Sequence, residues 1–442
     1  MTAEIAILNR AAVALAADSA VTINTATGPK IYESVNKLFA LIKNRPLGVM
    51  VYDAADLIGM PWETVIKAYR MERETYEAPS LQDYANDFMN YLVTKPALLG
   101  PSLQSLYANW LISARLVKLR QQVDYRVKEL LSSGGRTSLG RTQLVRIIRD
   151  VLADREAAIA ASASADWSSE ITIERVSAKY GSEIDTLIDQ SFQELPLTKG
   201  DRGRLKSVVC ESLLRDEDYE PRSGLVIAGF GAEEYFPALL HYDIKGIFDG
   251  RLRYSLVEDA RIDPQHNYSI IAPFAQRDVV DAFLGGLSDR LGGALLGFVE
   301  QVLKEGFPEV AEQVVHGLVD GAPTDLVRTR LSHIGQELFD GLEGTLRELQ
   351  RREAQPIVES VGFLPKDELG ALAESLVNLT SLKRRVSISE AQTVGGPVDV
   401  ATISRGDGFV WIKRKHYFDP VLNPTWAMTH AGARPVVEGC GV

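Results

Sequence analysis

Cysteine and histidine are scarce in this 442-residue chain, which limits the kinds of site that it can build. Cys210 and Cys440 are its only cysteines, too few for a disulfide framework or a four-thiolate zinc site. The six histidines are scattered along the chain, and none has the paired spacing of an HExxH motif. The sequence therefore predicts no metal site built by protein side chains, and it indicates a reducing compartment.

Long apolar runs and an excess of basic residues are also missing. No run reaches the roughly 18 apolar residues of a membrane-spanning helix, and the opening MTAEIAILNR lacks the basic start of a secretion signal. The chain has 48 Lys and Arg against 59 Asp and Glu, a net charge of −11. Because nucleic acids and anionic lipids attract basic surfaces, we expect neither nucleic acid nor membrane as a partner, and we expect a soluble cytoplasmic protein.

Glycine-rich phosphate-binding motifs are a third absence. The sequence contains neither GxGxxG nor GxxxxGK[ST], so it predicts no nucleotide site, and nothing in its composition points to another cofactor. What is present is the composition of a globular protein, with 45% hydrophobic and 24% charged residues. At roughly 150 residues per domain, the length corresponds to two or three units or to one large domain with insertions.

Apolar runs typical of β-strands occur at both ends and in the middle of the chain. The first two, residues 3–8 and 13–17, flank a turn signal at Asn9-Arg10 and predict a hairpin that begins almost at the first residue. Later runs predict strands at 37–42, 47–52, 224–230, 236–244, 251–257, 268–272, 395–403 and 409–412. Apolar residues at helical spacing predict a helix from 54 to about 73.

Helix-rich stretches separate these strand regions, so we expect an α+β protein with one β core and two large helical insertions. The predicted order is a first part of the core at 1–75, a helical insertion at 76–218, a second part of the core at 219–290, a second helical insertion at 291–384, the final core strands at 385–418 and a C-terminal tail at 419–442. The sequence shows no internal repeat that would favour a solenoid instead.

Thr2 is the first candidate for chemistry. A small second residue permits removal of the initiator methionine, so we expect a mature chain that begins at Thr2. Its α-amine, with a reference pKa of about 7.7–8.0, would act as a base near neutral pH beside the hydroxyl of the same residue. Threonine at position two also occurs in many ordinary proteins, so the interpretation depends on the residues that surround it.

Asp18 and Lys37 are the candidate neighbours of Thr2. Asp18 ends the second strand of the predicted hairpin, and antiparallel pairing returns that strand past the start of the chain. Lys37 opens the next apolar strand, where a buried ammonium held by a carboxylate would favour ionisation of a nearby hydroxyl. The alternative is structural, with Asp18 capping a turn and Lys37 extending its ammonium into solvent at a strand end.

Thr2, then Asp18-Ser19, then a lysine before an apolar strand resemble the proteasome β-subunit and bacterial HslV group of N-terminal nucleophile (Ntn) hydrolases. The matching segments cover 2–72, 223–290 and 388–412. The resemblance implies that Thr2 is the nucleophile, Asp18 the orienting acid and Lys37 the activating lysine. The interval from Asp18 to Lys37 is longer than the family pattern, so Lys30 remains a second candidate for that lysine.

The resemblance also implies a fold and a function. The fold is a four-layer αββα sandwich with two antiparallel sheets face to face, here interrupted by the two helical insertions. The function is that of a threonine protease, a hydrolase that cleaves amide bonds, above all peptide bonds, through an acyl-enzyme on Thr2. Peptide or protein substrates are then expected, and so is self-assembly into a homo-oligomer.

The polar residues that support the nucleophile in this family differ here. Asp53 stands where a glycine is expected, and Ala272-Pro273-Phe274 replace a Gly-Ser-Gly turn. Ala391 and Val394 occupy the positions of a late aspartate and serine. These differences support an alternative function, a catalytically inactive proteasome-like protein that acts in assembly or interaction through its helical insertions.

Overall fold

The computed structural model of this chain describes residues 2–25, 28–95, 97–134, 138–162, 165–217, 219–263, 265–318, 324–386, 394–419 and 422–423. Helices and antiparallel strands alternate along these ranges, so the chain is a mixed α+β protein, as the sequence predicts. Met1, Ala391 and nearly all of the predicted C-terminal tail lie outside the described residues.

Within the described ranges, the strands form two five-stranded sheets and two small hairpins. They are β1 (Ala3–Asn9), β2 (Val13–Ala17), β3 (Val21–Thr25), β4 (Gly28–Tyr32), β5 (Leu38–Ala40), β6 (Leu47–Asp53), β7 (Asp56–Leu57), β8 (Met60–Pro61), β9 (Ser223–Gly229), β10 (Ala238–Phe248), β11 (Arg251–Arg261), β12 (Ser269–Ala275), β13 (Asp399–Ser404) and β14 (Gly408–Lys413). The first sheet has the order β12-β1-β2-β13-β14 and the second β11-β10-β9-β6-β5. Their neighbouring strands pair antiparallel throughout, and β3–β4 and β7–β8 pair separately.

The helices fall in the two predicted helix-rich regions and beside them. They are α1 (Trp62–Glu72), α2 (Leu81–Thr94), α3 (Pro101–Gly134), α4 (Arg141–Ala161), α5 (Ile173–Phe192), α6 (Lys199–Ser212), α7 (Asp278–Gly285), α8 (Asp289–Gln301), α9 (Phe307–Leu318), α10 (Thr324–Val361) and α11 (Lys366–Val386). Ser80, Thr172 and Thr198 begin α2, α5 and α6 by accepting a hydrogen bond from a backbone N–H of the first turn.

The predicted helix from residue 54 is wrong at its start, because α1 begins at Trp62. The intervening residues form the β7–β8 hairpin instead. At its turn, Ile58 and Gly59 have φ of +48° and +90°, and Asp56 accepts a hydrogen bond of 2.7 Å from the backbone N–H of Gly59. A local side-chain-to-backbone bond of this kind competes with helix formation, so the apolar spacing alone places the helix start too early.

Both faces of the first sheet are apolar, as the alternation of side chains along a strand requires. On β1, Ala6 and Leu8 enter an apolar cluster that also contains residues of β6, β9 and β10 in the second sheet. Ile5 and Ile7 belong to a different cluster, shared with α7 and α11. The two sheets therefore pack face to face, and helices cover the outer face of the first sheet.

The outer face of the second sheet packs against α1 and α2, whose apolar side chains join those of β6, β9 and β10 in one cluster. Helices α3 to α6 form a further cluster among themselves, which Phe248 of β10 also enters. The helical region at 76–218 thus has two parts, since α2 shares the core of the sheet while α3 to α6 have a core of their own.

Helices α8 to α10 carry apolar side chains on their surface. Phe298, Phe307 and Val310 are all more than half exposed. Among the described residues, no single helix is long and apolar enough to cross a membrane. Helix α7 and the helical stretch Arg290–Val314 pass the same length and hydropathy criteria together, as a pair bent by 76°.

Candidate active site

The β1–β2 hairpin places Asp18 beside the start of the chain. Its turn is held by the Asn9 side chain, which accepts hydrogen bonds of 2.9 and 3.1 Å from the backbone N–H groups of Ala11 and Ala12. At the other end, the backbone N–H of Asp18 donates to the carbonyl of Ala3 over 3.1 Å. The N–H of Ala3 donates in return to Asp18 Oδ1 over 3.2 Å. The Asp18 carboxyl group is therefore bound to the backbone of Ala3, the residue that follows Thr2.

Lys37 connects the two sheets at this point. Its Nζ donates to Thr2 Oγ1 over 2.9 Å and to Asp18 Oδ1 over 2.6 Å. Its own carbonyl accepts from the N–H of Val51 over 3.0 Å, which ties it to β6. Thr2 and Lys37 are each 4% exposed and Asp18 is fully buried. The three candidate residues thus form one buried, hydrogen-bonded cluster.

Lys30 lies elsewhere. It is exposed on β4, where it pairs with Ile23 in the β3–β4 hairpin. Of the two lysines that the sequence left open, Lys37 is the one in contact with Thr2. The β3–β4 hairpin occupies most of the interval between Asp18 and Lys37.

The segment before β13 holds the second oxygen of Asp18. Gly395 donates its N–H to Asp18 Oδ2 over 2.9 Å, and its carbonyl accepts from the N–H of Ser19 over 3.1 Å. Gly396 has a φ of +75°, and a Cβ there would lie 2.7 Å from the carbonyl oxygen of Glu33. Asp18 therefore accepts hydrogen bonds from Ala3, Gly395 and Lys37 together.

Gln276 follows β12 and lies next to Thr2. Its backbone N–H donates to the carbonyl of Thr2 over 3.2 Å, and its side-chain Oε1 accepts from the guanidinium of Arg384 on α11. Ala272, Pro273 and Phe274 lie within β12, where Phe274 pairs with Glu4 on β1. Ala275, the residue before Gln276, has a φ of +59°. This conformation is rare outside glycine, and no sequence pattern predicts it here.

Asp53 ends β6 in the left-handed conformation, with a φ of +65°. This conformation favours glycine, the residue that the family pattern places here. The next N–H, that of Ala54, donates to the carbonyl of Arg222 over 3.2 Å. Partial burial raises the pKa of the Asp53 carboxyl, and the guanidinium of Arg222 opposes that rise.

A cleft of about 720 Å³ opens beside this cluster, lined by Tyr52, Asp53, Arg222, His241, Phe274 and Gln276 among others. The Tyr52 hydroxyl and His241 Nε2 are 2.6 Å apart, and burial lowers the pKa of His241 while it raises the pKa of Tyr52. Arg222 pairs with Asp243 over 3.0 Å at the rim. The cleft thus has an aromatic wall and charged lining residues. Gln276, which also lines it, is hydrogen-bonded to Thr2.

Glu4 is a fully buried acid that the sequence analysis missed. It lies two residues after Thr2 on β1, and burial raises the pKa of its carboxyl well above the ordinary value. A signal was present, since Glu4 is the one charged residue in the otherwise apolar run from Ala3 to Leu8. Gln276 and Arg384 had no such signal, because tertiary contacts alone bring Gln276 to Thr2 and Arg384 to Gln276.

Comparison with known proteins gives no family for this chain. No family model and no curated protein matches its sequence. Within the described ranges, no three His, Cys, Asp or Glu side chains are grouped so that they could hold a metal ion. The chemistry of the site must therefore be inferred from Thr2, Asp18, Lys37 and the groups around them.

Proposed function

We propose that this chain is an N-terminal threonine hydrolase that cleaves peptide or closely related amide bonds through an acyl-enzyme on Thr2. The observation that carries the proposal is the position of Lys37 Nζ, within hydrogen-bond distance of both Thr2 Oγ1 and Asp18 Oδ1 in a buried cluster. A lysine that serves structure alone at a strand end extends its ammonium to water. Here the ammonium is directed at a hydroxyl instead.

The fold supports the same proposal. Two five-stranded antiparallel sheets share one apolar cluster. Helices α1 and α2 pack on one outer face, and α7 and α11 on the other. This arrangement fits the four-layer αββα sandwich of the Ntn hydrolases, with α3–α6 and α8–α10 as additions to it.

The acylation step requires removal of Met1, which creates the α-amine of Thr2. Thr2 Oγ1 attacks the substrate carbonyl carbon, and its proton passes to that amine, directly or through one water. The ammonium of Lys37, held by Asp18, stabilises the negative charge that develops on Oγ1. The C–N bond then breaks, the leaving amine takes the proton from the Thr2 ammonium, and the acyl group remains on Oγ1 as an ester.

The deacylation step reverses these roles. Water attacks the ester carbonyl and gives its proton to the α-amine of Thr2. The C–O bond to Oγ1 breaks, Oγ1 takes that proton from the Thr2 ammonium, and the carboxylic acid leaves. The cleft lined by Gln276 and Asp53 is the place we assign to the chain of the substrate, because Gln276 is hydrogen-bonded to Thr2.

The test is covalent labelling with a β-lactone, which a nucleophilic hydroxyl opens and retains. Intact-mass measurement of the purified protein should first show loss of Met1, and the lactone should then add its full mass once. Thr2→Ser should keep the adduct, and Thr2→Val, which has the shape of threonine without its hydroxyl, should lose it. Lys37→Met should slow labelling by about 100-fold or more, the usual size of a lost proton-transfer or charge-stabilising group.

Lys30→Met is the matched control, since it removes an exposed lysine from the neighbouring hairpin. Its labelling rate should equal that of the wild type. A protein that retains Met1, or a Thr2→Val variant that labels like the wild type, would rule the proposal out.

A further inference from the structure

Glu4 occupies the space behind the nucleophile. Alternation along β1 puts it on the same face as Ala6 and Leu8, which enter the cluster between the two sheets. Thr2 lies on that face as well, one pleat repeat away. Glu4 is 0% exposed, so its carboxyl is held inside the protein and not at the edge of the cleft.

The carboxyl of Glu4 has no hydrogen-bond partner among the described residues, at either Oε1 or Oε2. Four charged or titratable groups interact electrostatically with this carboxyl. They are Lys37 just before β5, Asp18 just after β2, and Tyr52 and Asp53 at the end of β6. Two more titratable residues belong to the surroundings. His241 of β10 is paired with Tyr52, and across the sheet Asp399 lies opposite Ala17 and is bound by Lys415.

The hydrogen-bond donors in this space serve Asp18 and leave Glu4 without a partner among the described residues. Lys37 supplies one cation, and Asp18 and Glu4 supply two carboxyls. Asp18 accepts from Lys37 and two backbone N–H groups, whereas Glu4 accepts from none of the described residues. An ionised carboxylate without donors is very unfavourable in such a site, so burial here favours a protonated Glu4.

We propose that Glu4 is a positioning residue that, while it holds this proton, leaves Lys37 bound to Thr2 and Asp18, and that its ionisation slows the reaction at Thr2. The proposal rests on the proposed hydrolase function. An ionised Glu4 competes with Thr2 Oγ1 for the ammonium of Lys37. It also adds a second buried negative charge where attack on the substrate creates one, and in a water-poor site that charge is poorly screened.

The first experiment tests whether Glu4 is protonated in the folded protein, and it does not depend on activity. Urea unfolding is followed as a function of pH for the wild type, for Glu4→Gln and for Glu233→Gln, an exposed glutamate on a surface turn. In the unfolded chain Glu4 ionises near its ordinary value of 4.5, so above that pH wild-type folding must take up one proton. Relative to Glu4→Gln, the folding equilibrium constant of the wild type should fall about tenfold per pH unit until Glu4 ionises in the folded state.

The second experiment measures the β-lactone labelling rate over the same pH range. The ratio of the Glu4→Gln rate to the wild-type rate should rise by about tenfold or more as Glu4 ionises, because the variant has no carboxyl to ionise. The corresponding ratio for Glu233→Gln should stay flat. Glu4→Leu serves as a second variant if the amide of Glu4→Gln prevents folding, since it fits an apolar space and must show the same pH behaviour.

The outcomes separate the two proposals. A stability difference that does not change with pH would show an ionised Glu4 in the folded protein and would overturn the inference. The inference would also be overturned if the stability difference changes with pH while the labelling rates of Glu4→Gln and the wild type keep the same ratio. Glu4 would then be a structural acid without influence on Thr2. If the stability difference slopes but no variant labels at any pH, the hydrolase function fails, and with it the role of Glu4 in the reaction, while the buried proton stands.

Discussion

At the scale of single residues, the site depends on the pairing of Lys37 with Asp18. Both side chains are removed from water, and their closest atoms are 2.6 Å apart. A buried pair of this kind contributes little net stability compared with apolar residues, but the loss of one partner leaves an uncompensated charge inside the protein. Removal of either residue alone therefore leaves the other buried without its counter-charge.

We predict that Lys37→Met destabilises the fold by about 3–5 kcal/mol, because it leaves Asp18 charged and buried without its cation. Urea unfolding at constant pH measures the change. Adding Asp18→Asn should restore a large part of the loss, since the second substitution removes the orphaned charge. Lys30→Met, on the exposed β4 strand, should leave the unfolding midpoint unchanged. Equal stability of Lys37→Met and wild type would mean that this pair is not buried.

At the scale of secondary-structure elements, the pairing of β6 with β9 builds the aromatic wall of the cleft. Tyr52 on β6 lies opposite Gly224 on β9. A Cβ at Gly224 would lie 2.0 Å from Cζ of the Tyr52 ring, so the absence of a side chain there is what makes room for the ring. The ring is also where Tyr52 meets Phe274 of the other sheet, with 6.1 Å between ring centroids.

Gly224→Ala should therefore destabilise the protein by about 1–3 kcal/mol, the usual cost of overpacking a core. Thermal or urea unfolding measures it, and Tyr52→Leu in the same chain should recover much of the loss by removing the ring. Gly406→Ala in the β13–β14 turn is the control, since nothing lies within 4 Å of a Cβ built there. A Gly224→Ala variant as stable as the control would contradict this packing of Tyr52.

At the scale of the whole molecule, a buried ionic network joins the α3–α6 region to the second sheet. Arg253 of β11 donates to Glu220 Oε2 over 2.7 Å, and Arg115 of α3 donates to the other oxygen of the same carboxylate. All three side chains are buried. One acid thus holds two guanidinium groups that come from separate parts of the structure.

Glu220→Gln should lower the free energy of unfolding by about 3–5 kcal/mol, because two buried arginines lose their shared counter-charge. Denaturant unfolding followed by circular dichroism measures this loss. The control is Glu156→Gln, which removes a surface pair with Arg204 between α4 and α6 and should cost at most about 1 kcal/mol. If the two variants lose similar stability, the network does not join the two regions as described.

Much of this molecule could be predicted from local patterns in the sequence. The β1–β2 hairpin, the strands around residues 47, 224, 240 and 400 and the two helix-rich regions follow from apolar spacing and turn residues, since these act over a few neighbouring positions. The return of Asp18 to the neighbourhood of Thr2 could be predicted for the same reason. A hairpin returns Asp18 to the first residues whatever the rest of the chain does.

Other parts could be decided only by tertiary structure. The choice of Lys37 over Lys30 depends on how the β3–β4 hairpin projects from the core, and the contact of Gln276 with Thr2 depends on the left-handed backbone at Ala275. The burial of Glu4 without a hydrogen-bond partner among the described residues likewise depends on packing between strands. The local sequence determined the strands and the first hairpin because short-range geometry is set by neighbouring residues, whereas strand register and burial came from packing between distant segments.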